Sequence, residues 1–371
     1  MLPTLGILGG GQLGRMTALA AARLGVPVRI LADHESGTGK PLAGVTVADW
    51  SDPAVLRTWA AGCDVVTVES EWAPADQLME AAPETVVRPG VETLVAIRHK
   101  GRQRQRLAEA GLPQPRWVWA ETLAEARDAV QAFGAAVLKR FEGSYDGYGN
   151  ATCRSPHDVD AAWTDLAADD GLLVEAFVPF EAEAAVTVAR TAEGDAVVYP
   201  VVRSEHRDHR LHAATVPAGF SDAVEDEARQ VALETVSALG ATGVATVEVF
   251  VAPGGVLVNE VAPRPHNTAH LTLDASHTSQ FENHVRAVLG WPLGATGLRV
   301  PAACMVNVLG ARDGDASPRL GDALAVAWAS VHLYGKDGVR PDRKMGHVTV
   351  TADSVDDARQ CAEAAASAIQ L

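Results

Sequence analysis

The apolar runs Thr246-Val247-Glu248-Val249-Phe250 and Leu257-Val258-Asn259-Glu260-Val261 flank Pro253-Gly254-Gly255, and each carries one glutamate. β-Branched runs around a Pro-Gly turn read as an antiparallel hairpin. With the turn centred on Gly254, Glu248 lies six residues before it and Glu260 six after. They then form an opposed cross-strand pair with Cβ atoms ~5 Å apart. Two ionised carboxylates so placed repel, and a bound cation offsets the repulsion. Mg²⁺ takes one or two carboxylates together with phosphate oxygens and so suits such a pair. A one-residue register shift would instead turn one glutamate to solvent, so both readings stay open here.

The amino-terminal part has a different pattern. Leu5–Leu8 is an apolar run that breaks at Gly9-Gly10-Gly11, and Gln12–Leu24 has helical spacing. Val26–Leu31 and Asp64–Val68 read as further strands, the latter ending on Glu69 and Glu71. Strands alternating with helices imply an open parallel sheet. Gly9-Gly10-Gly11-Gln12-Leu13-Gly14 satisfies GxGxxG, with Asp33 ending the next strand. The turn reads as a tight strand-to-helix connection, a phosphate cradle or a dinucleotide site, and the glycines alone do not choose.

A basic helix, Arg98 to Ala110, is closed by Gly111 and Pro113. A helix around Leu123–Phe133 and a strand, Ala136–Arg140, follow, with Lys139 near the strand's end. The loop Gly143-Ser144-Tyr145-Asp146-Gly147-Tyr148-Gly149 comes next. A glycine hairpin beside a lysine can close over phosphates, although many such hairpins are only turns. No Gly-Lys-Ser/Thr follows it, and no kinase HRD or DFG string appears. Leu172–Val174 runs into Glu175, and from Ala184 onward the chain is strand-rich until an Ala-rich closing helix.

At 371 residues the chain exceeds what one core supports, so two or three subdomains are expected. A net charge of −16 argues against nucleic acid as a partner, so an anionic ligand needs local basic clusters. No apolar run reaches membrane-spanning length and no signal-peptide pattern opens the chain, so a cytoplasmic location is expected. Cys63, Cys153, Cys304 and Cys361 stand far apart and are expected as reduced thiols.

Strand Lys139, glycine loop, Leu173–Val178, Glu183 and the facing Glu248 and Glu260 occur in the order found in the ATP-grasp superfamily. GILGGGQLGRM (6–16), SYDGYG (144–149), NEVAPRPHNTAH (259–270), SQFENHVRAVLGWPLG (279–294) and HLYGK…RPDRKMGHVTV (332–350) resemble the N5-carboxyaminoimidazole ribonucleotide synthetases of purine biosynthesis. The resemblance spans nearly the whole chain. It implies an α/β (α+β) ATP-grasp fold with an N-terminal parallel-sheet domain (1–97). An ATP-grasp domain (98–292, lid about 113–174) and a small β-rich domain (293–371) would follow. It also implies ATP and Mg²⁺ as cofactors, aminoimidazole ribonucleotide and bicarbonate as substrates, carboxyphosphate as intermediate, and a homodimer.

Carried over by position, Lys100, Lys139 and Gly143, Ser144, Tyr145, Asp146, Gly147, Tyr148 and Gly149 would meet ATP phosphates. Glu175, Ala176, Phe177 and Val178 would read adenine through their backbone, and Glu183 would hold the ribose. His206 and Asn259 would join the nucleotide contacts, and Glu248 and Glu260 would bind the metal. Arg264, His266, Asn267 and Asp146 form the implied catalytic set. Gln12 and Glu69 would line the ribonucleotide pocket, and Lys336, Arg343 and Lys344 would take its phosphate. The chain departs from the family at Tyr148, where relatives usually carry Lys or Arg. Milder departures are Ser70, Lys100, Arg104 and Ser144. A dehydrogenase would leave the facing glutamates without a role. A formate-dependent glycinamide ribonucleotide transformylase shares the metal pair but not YGK…RKMGH, and a non-catalytic nucleotide-binding protein is the alternative that Tyr148 favours.

Overall fold

The computed structural model describes residues 2–35, 38, 44–143, 148–166, 170–316 and 318–371. Strands Val45–Val47, Val28–Ala32, Leu5–Leu8 and Val65–Val68 form a parallel sheet in that order. The central strand is buried on both faces, which is why it reads as a continuous apolar run. The helix Gln12–Arg23 leaves it directly through the glycines.

The expected basic helix is present as Lys100–Glu109, with Arg98 closing the helix before it. Val91–Arg98 ends at His99, whose ring then caps Lys100–Glu109 by accepting from the Arg102 N–H. The break lets the Lys100 N–H donate to the Phe141 carbonyl, so the second helix is anchored to the lid. Strands Trp117–Ala120, Leu172–Ala176, Ala136–Lys139 and Asn150–Cys153 make the antiparallel lid sheet.

A nine-stranded antiparallel sheet runs from the hairpin Gly243–Ala252/Gly255–Ala262 through Ala182–Arg190, Val202–Arg207 and Arg210–Val216. It continues without a break into Ala302–Leu309, Lys344–Ala352 and Ala329–Leu333. The carboxy-terminal strands therefore extend the same sheet, and Val355–Ala368 covers them through Ala358, Ala362 and Ala365.

The amino-terminal sheet is joined to the rest by one core that includes Ile7, Met16, Phe281, Val285, Val288 and Tyr334. His284, wholly buried, closes the joint: its Nε2 lies 2.9 Å from Thr67 Oγ1, and its Nδ1 accepts from the Val244 N–H. Among the described residues no helix is long and apolar enough to cross a membrane. The four cysteines are free thiols.

Candidate active site

Glu248 and Glu260 are cross-strand partners, but for a different reason than a turn centred on Gly254. Ala252 pairs with Gly255, so the turn is Pro253-Gly254, and regular pairing from there would oppose Glu248 to Asn259. A β-bulge intervenes: Val249 pairs with Val258 while Glu248 pairs with Glu260, leaving Asn259 as the extra residue. The bulge flips the faces of everything beyond it. Val256, Val258 and Val261 are buried, so the core spacing changes from two to three and Glu260 turns out of the core. That irregular spacing is the signal in the sequence that regular alternation overlooks.

Burial and the neighbouring Glu260 charge push the Glu248 carboxyl up to about 7. Burial would raise Glu260 too, but Lys100, its Nζ 2.8 Å from Oε1, holds it below the ordinary range. Among the described residues no cluster of three or more ligating side chains encloses a metal. Two carboxylates strained by mutual repulsion, with one face open, do fit a Mg²⁺ that a nucleotide phosphate would share.

The cationic wall is buried, not a solvated helix surface. Arg104 is 2% exposed, and its Nε donates to Glu175 Oε1 at 2.6 Å. Lys139 Nζ lies 2.7 Å from the other Glu175 oxygen. Burial opposes the charge on Glu175, yet Arg104 and Lys139 bring its carboxyl down to about 2. Glu175 thus lies in a strand as an internal counter-ion, a correction to its expected place in an adenine-reading link. The Ala176 and Phe177 N–H groups donate to the Arg116 and Ala135 carbonyls, so a backbone donor for adenine is left to Val178. Glu183 Oε2 is 2.9 Å from His206 Nδ1. Burial opposes protonation of that ring, but Glu183 and Glu248 raise its pKa. His206 is therefore half-buried and paired.

Arg264 leaves the end of the hairpin and binds Glu71 through Nε at 2.7 Å and Nη2 at 3.4 Å. In the sequence Glu71 stands out only as the neighbour of Glu69. His266 caps the short helix Asn267–Ala269, and its Nε2 is 3.5 Å from Glu248 Oε1. Burial, then Arg264 and Lys344, hold its pKa well below the ordinary value, so the ring is neutral. Gln280, fully buried, accepts from the His266 N–H and donates to the His266 carbonyl, both at 2.8 Å. Sequence reasoning missed it, although a glutamine on the apolar face of Gln280–Val288 was the available sign. Asn267 exchanges amide hydrogen bonds with Asn307, so its side chain is already engaged.

The glycine turn holds an internal carboxyl group, whose pKa burial raises despite the N–H donors around it. The Gly11 N–H donates to Glu69 Oε2 and the Leu13 N–H to Oε1. A Cβ on Gly11 would lie 2.0 Å from that carboxylate, and one on Gly14 2.4 Å from the Gly9 carbonyl. The cradle is filled from within, which speaks against a dinucleotide there, and the group that fills it is Glu69, expected beside a ribonucleotide. Gln12 stands beside it, half-buried at the start of its helix. In the carboxy-terminal region the Lys344 charge acts on His206, His266 and His270, lowering the pKa of each ring. Arg343 donates to the Gly338 carbonyl at 2.7 Å, and Lys336 lies over the Tyr334 ring.

Of the glycine loop, Ser144, Tyr145, Asp146 and Gly147 lie outside the described residues. Gly143 and Gly149 adopt positive φ, +73° and +78°, as hairpin ends should. Tyr148 is 58% exposed. Arg140 donates to the Leu166 carbonyl at 2.6 Å, away from Lys139.

Three family profiles cover most of the chain. They are the ribonucleotide synthetase preATP-grasp domain (2–98), the ATP-grasp domain (105–281) and the phosphoribosylaminoimidazole carboxylase C-terminal domain (303–361). A phosphoribosylaminoimidazole carboxylase of Schizosaccharomyces pombe is 36% identical over 94% of this chain, which spans 65% of that protein's length. An N5-carboxyaminoimidazole ribonucleotide synthase of Synechococcus elongatus is 36% identical over 93% of this chain and 89% of its own. The solved N5-carboxyaminoimidazole synthase of Aspergillus clavatus, in complex with ADP and 5-aminoimidazole ribonucleotide, is 30% identical. It superposes with a TM-score of 0.88, over 99% of this chain and 98% of that one. Together with the continuous sheet and the facing carboxylates, these likenesses fix the assignment: the chain belongs to the N5-carboxyaminoimidazole ribonucleotide synthase family of ATP-grasp proteins.

Proposed function

We propose that this chain carboxylates 5-aminoimidazole ribonucleotide with bicarbonate, at the expense of ATP, to give N5-carboxyaminoimidazole ribonucleotide, ADP and phosphate. The observation that carries it is the Glu248/Glu260 pair, bounded by Lys100 and by the neutral His266. Family membership supplies the substrates.

Glu248 and Glu260, with Asn259 beside them, would hold Mg²⁺, which when bound neutralises charge on the nucleotide phosphates. Lys139 and Lys100 would contact the transferring phosphoryl group. A bicarbonate oxygen attacks the γ-phosphorus and ADP leaves, forming carboxyphosphate. The substrate amine then captures the carboxyl carbon, directly or as CO₂, with loss of phosphate and one amine proton. Arg264 presents a planar fork suited to bicarbonate, and Glu71 keeps it aimed. His266, neutral at working pH, offers the anion a hydrogen-bonding ring that carries no competing charge. Glu183 and His206 would hold the ribose side of the nucleotide, Val178 the adenine, and Lys344 with Arg343 and Lys336 the ribonucleotide phosphate. The expected assembly is a homodimer, which sedimentation would check.

ADP release should require bicarbonate and be strongly stimulated by aminoimidazole ribonucleotide, and not by glycinamide ribonucleotide with formate. Equal stimulation by both would remove the substrate while leaving the ATP-grasp chemistry standing.

A further inference from the structure

Arg104 has no part in the contacts assigned above to nucleotide, anion or ribonucleotide, yet it is the most buried charged side chain here. Besides Glu175, its guanidinium reaches two backbone carbonyls: Nη1 donates to Val258 at 2.8 Å and Nη2 to Asn259 at 2.7 Å. In a regular strand successive carbonyls point to opposite edges, so one side chain does not meet two in a row. Here the bulge at Asn259 makes them neighbours. Val258 lies on the open edge of the sheet, where its N–H donates to the Pro113 carbonyl and its own carbonyl would otherwise lack a strand partner. Arg104 therefore meets the two carbonyls that the bulge presents.

The geometry points to Arg104 as the positioning residue that locks this bulge and thereby keeps Glu260 on the face of Glu248. Without the bulge, the two-residue alternation of Val256 and Val258 would carry Glu260 into the core. The third bond, to Glu175, ties the same lock to Lys139, so one guanidinium sets the spacing between the carboxylate pair and the phosphate-facing lysine. Arginine is required because its planar fork offers parallel donors to adjacent carbonyls while Nε reaches a third acceptor; an ammonium on a flexible stem does not. The inference rests on the reading of the Glu248/Glu260 pair as a metal–nucleotide site.

The test uses Mn²⁺ as probe, with ADP and no bicarbonate or ribonucleotide, and reads free Mn²⁺ by electron paramagnetic resonance. Arg104→Lys should bind Mn²⁺ at least tenfold more weakly than wild type, with a near-native circular dichroism spectrum. Its ADP release should need at least tenfold more Mg²⁺, while the KM for the ribonucleotide moves less than threefold. Arg104→Gln, which keeps amide donors but loses the fork, should behave similarly if the lysine variant folds poorly. Wild-type Mn²⁺ affinity in a folded Arg104→Lys protein would overturn the inference. So would loss of the folded state in both variants, which would make Arg104 a residue of the fold alone. Failure of the wild type itself to bind Mn²⁺ with ADP would bring down the metal reading beneath it, a result distinguishable because no variant is involved.

Discussion

The glycine turn at Gly9–Gly14 and the hairpin Gly243–Ala262 both bring acidic side chains against backbone, yet only the turn is closed. At the turn, Glu69 puts its carboxylate into the N–H groups of Gly11 and Leu13, and the missing Cβ atoms make room for it. At the hairpin, two carboxylates face each other, Glu260 takes the Lys100 ammonium, and burial with the Glu260 charge drives Glu248 up to about 7. The pattern with the stronger reputation for binding ligands thus has its N–H donors taken up from within, and the plainer hairpin is left needing a cation. An uncompensated charge with access to solvent is a better mark of a ligand site than a glycine spacing is.

The sharpest way to break the comparison is at the hairpin. Glu260→Gln should cost several kcal/mol of transition-state stabilisation, about a thousandfold or more in turnover, while the protein stays folded. Near-normal ADP production at limiting Mg²⁺ would show that the open pair is not a metal site.

His284 spans the joint between the two regions, from Thr67 two residues before Glu69 to Val244 on the strand of Glu248. Burial lowers its pKa to about 4. Above pH 6.5 both folded and unfolded states are neutral there and nothing is lost. As pH falls from 6.5 towards 4 the unfolded chain takes up the proton first, so stability drops, by roughly 3 kcal/mol at full development. His284→Gln should lower stability at neutral pH but flatten the loss over that window in denaturant titrations. An unchanged acid slope would remove the joint from the comparison.

Glu69→Gln should cost about 1–3 kcal/mol of stability, because an amide cannot accept from both N–H groups without turning its own NH₂ on one of them. Its Mg²⁺ dependence should stay at the wild-type value, and neither NAD nor NADP should bind in calorimetric titration to the unaltered protein. A shifted Mg²⁺ requirement would mean that the turn is not closed.

Lys344→Ala should raise the ribonucleotide KM about tenfold, roughly 1.4 kcal/mol, and more than Arg343→Ala does, since the Lys344 charge acts on His206 and His266 at the site. The reverse order would return the phosphate to Arg343. The smallest expected change is at Tyr148: Arg or Lys there should lower the bicarbonate KM or raise kcat by a few-fold. Unchanged kinetics in both variants would exclude the position from the chemistry.

Period and punctuation in the chain are enough to specify the parallel amino-terminal sheet, the lid strand carrying Lys139 and the antiparallel hairpin with one glutamate on each strand, whereas the bulge that puts Glu248 and Glu260 on one face is not local. The former are local properties: alternation, helical spacing and glycine breaks act between residues a few positions apart. What fills each charged place was not legible there. The bulge at Asn259 depends on Arg104, 155 positions away. Glu69 turns into a loop 58 positions before it, and Gln280 grips His266 from another helix. A carboxylate looks the same in sequence whether an N–H pair, a guanidinium or a metal will offset it. Only the packed structure decides, because desolvation makes the partner obligatory and the fold determines which partner is within 3 Å.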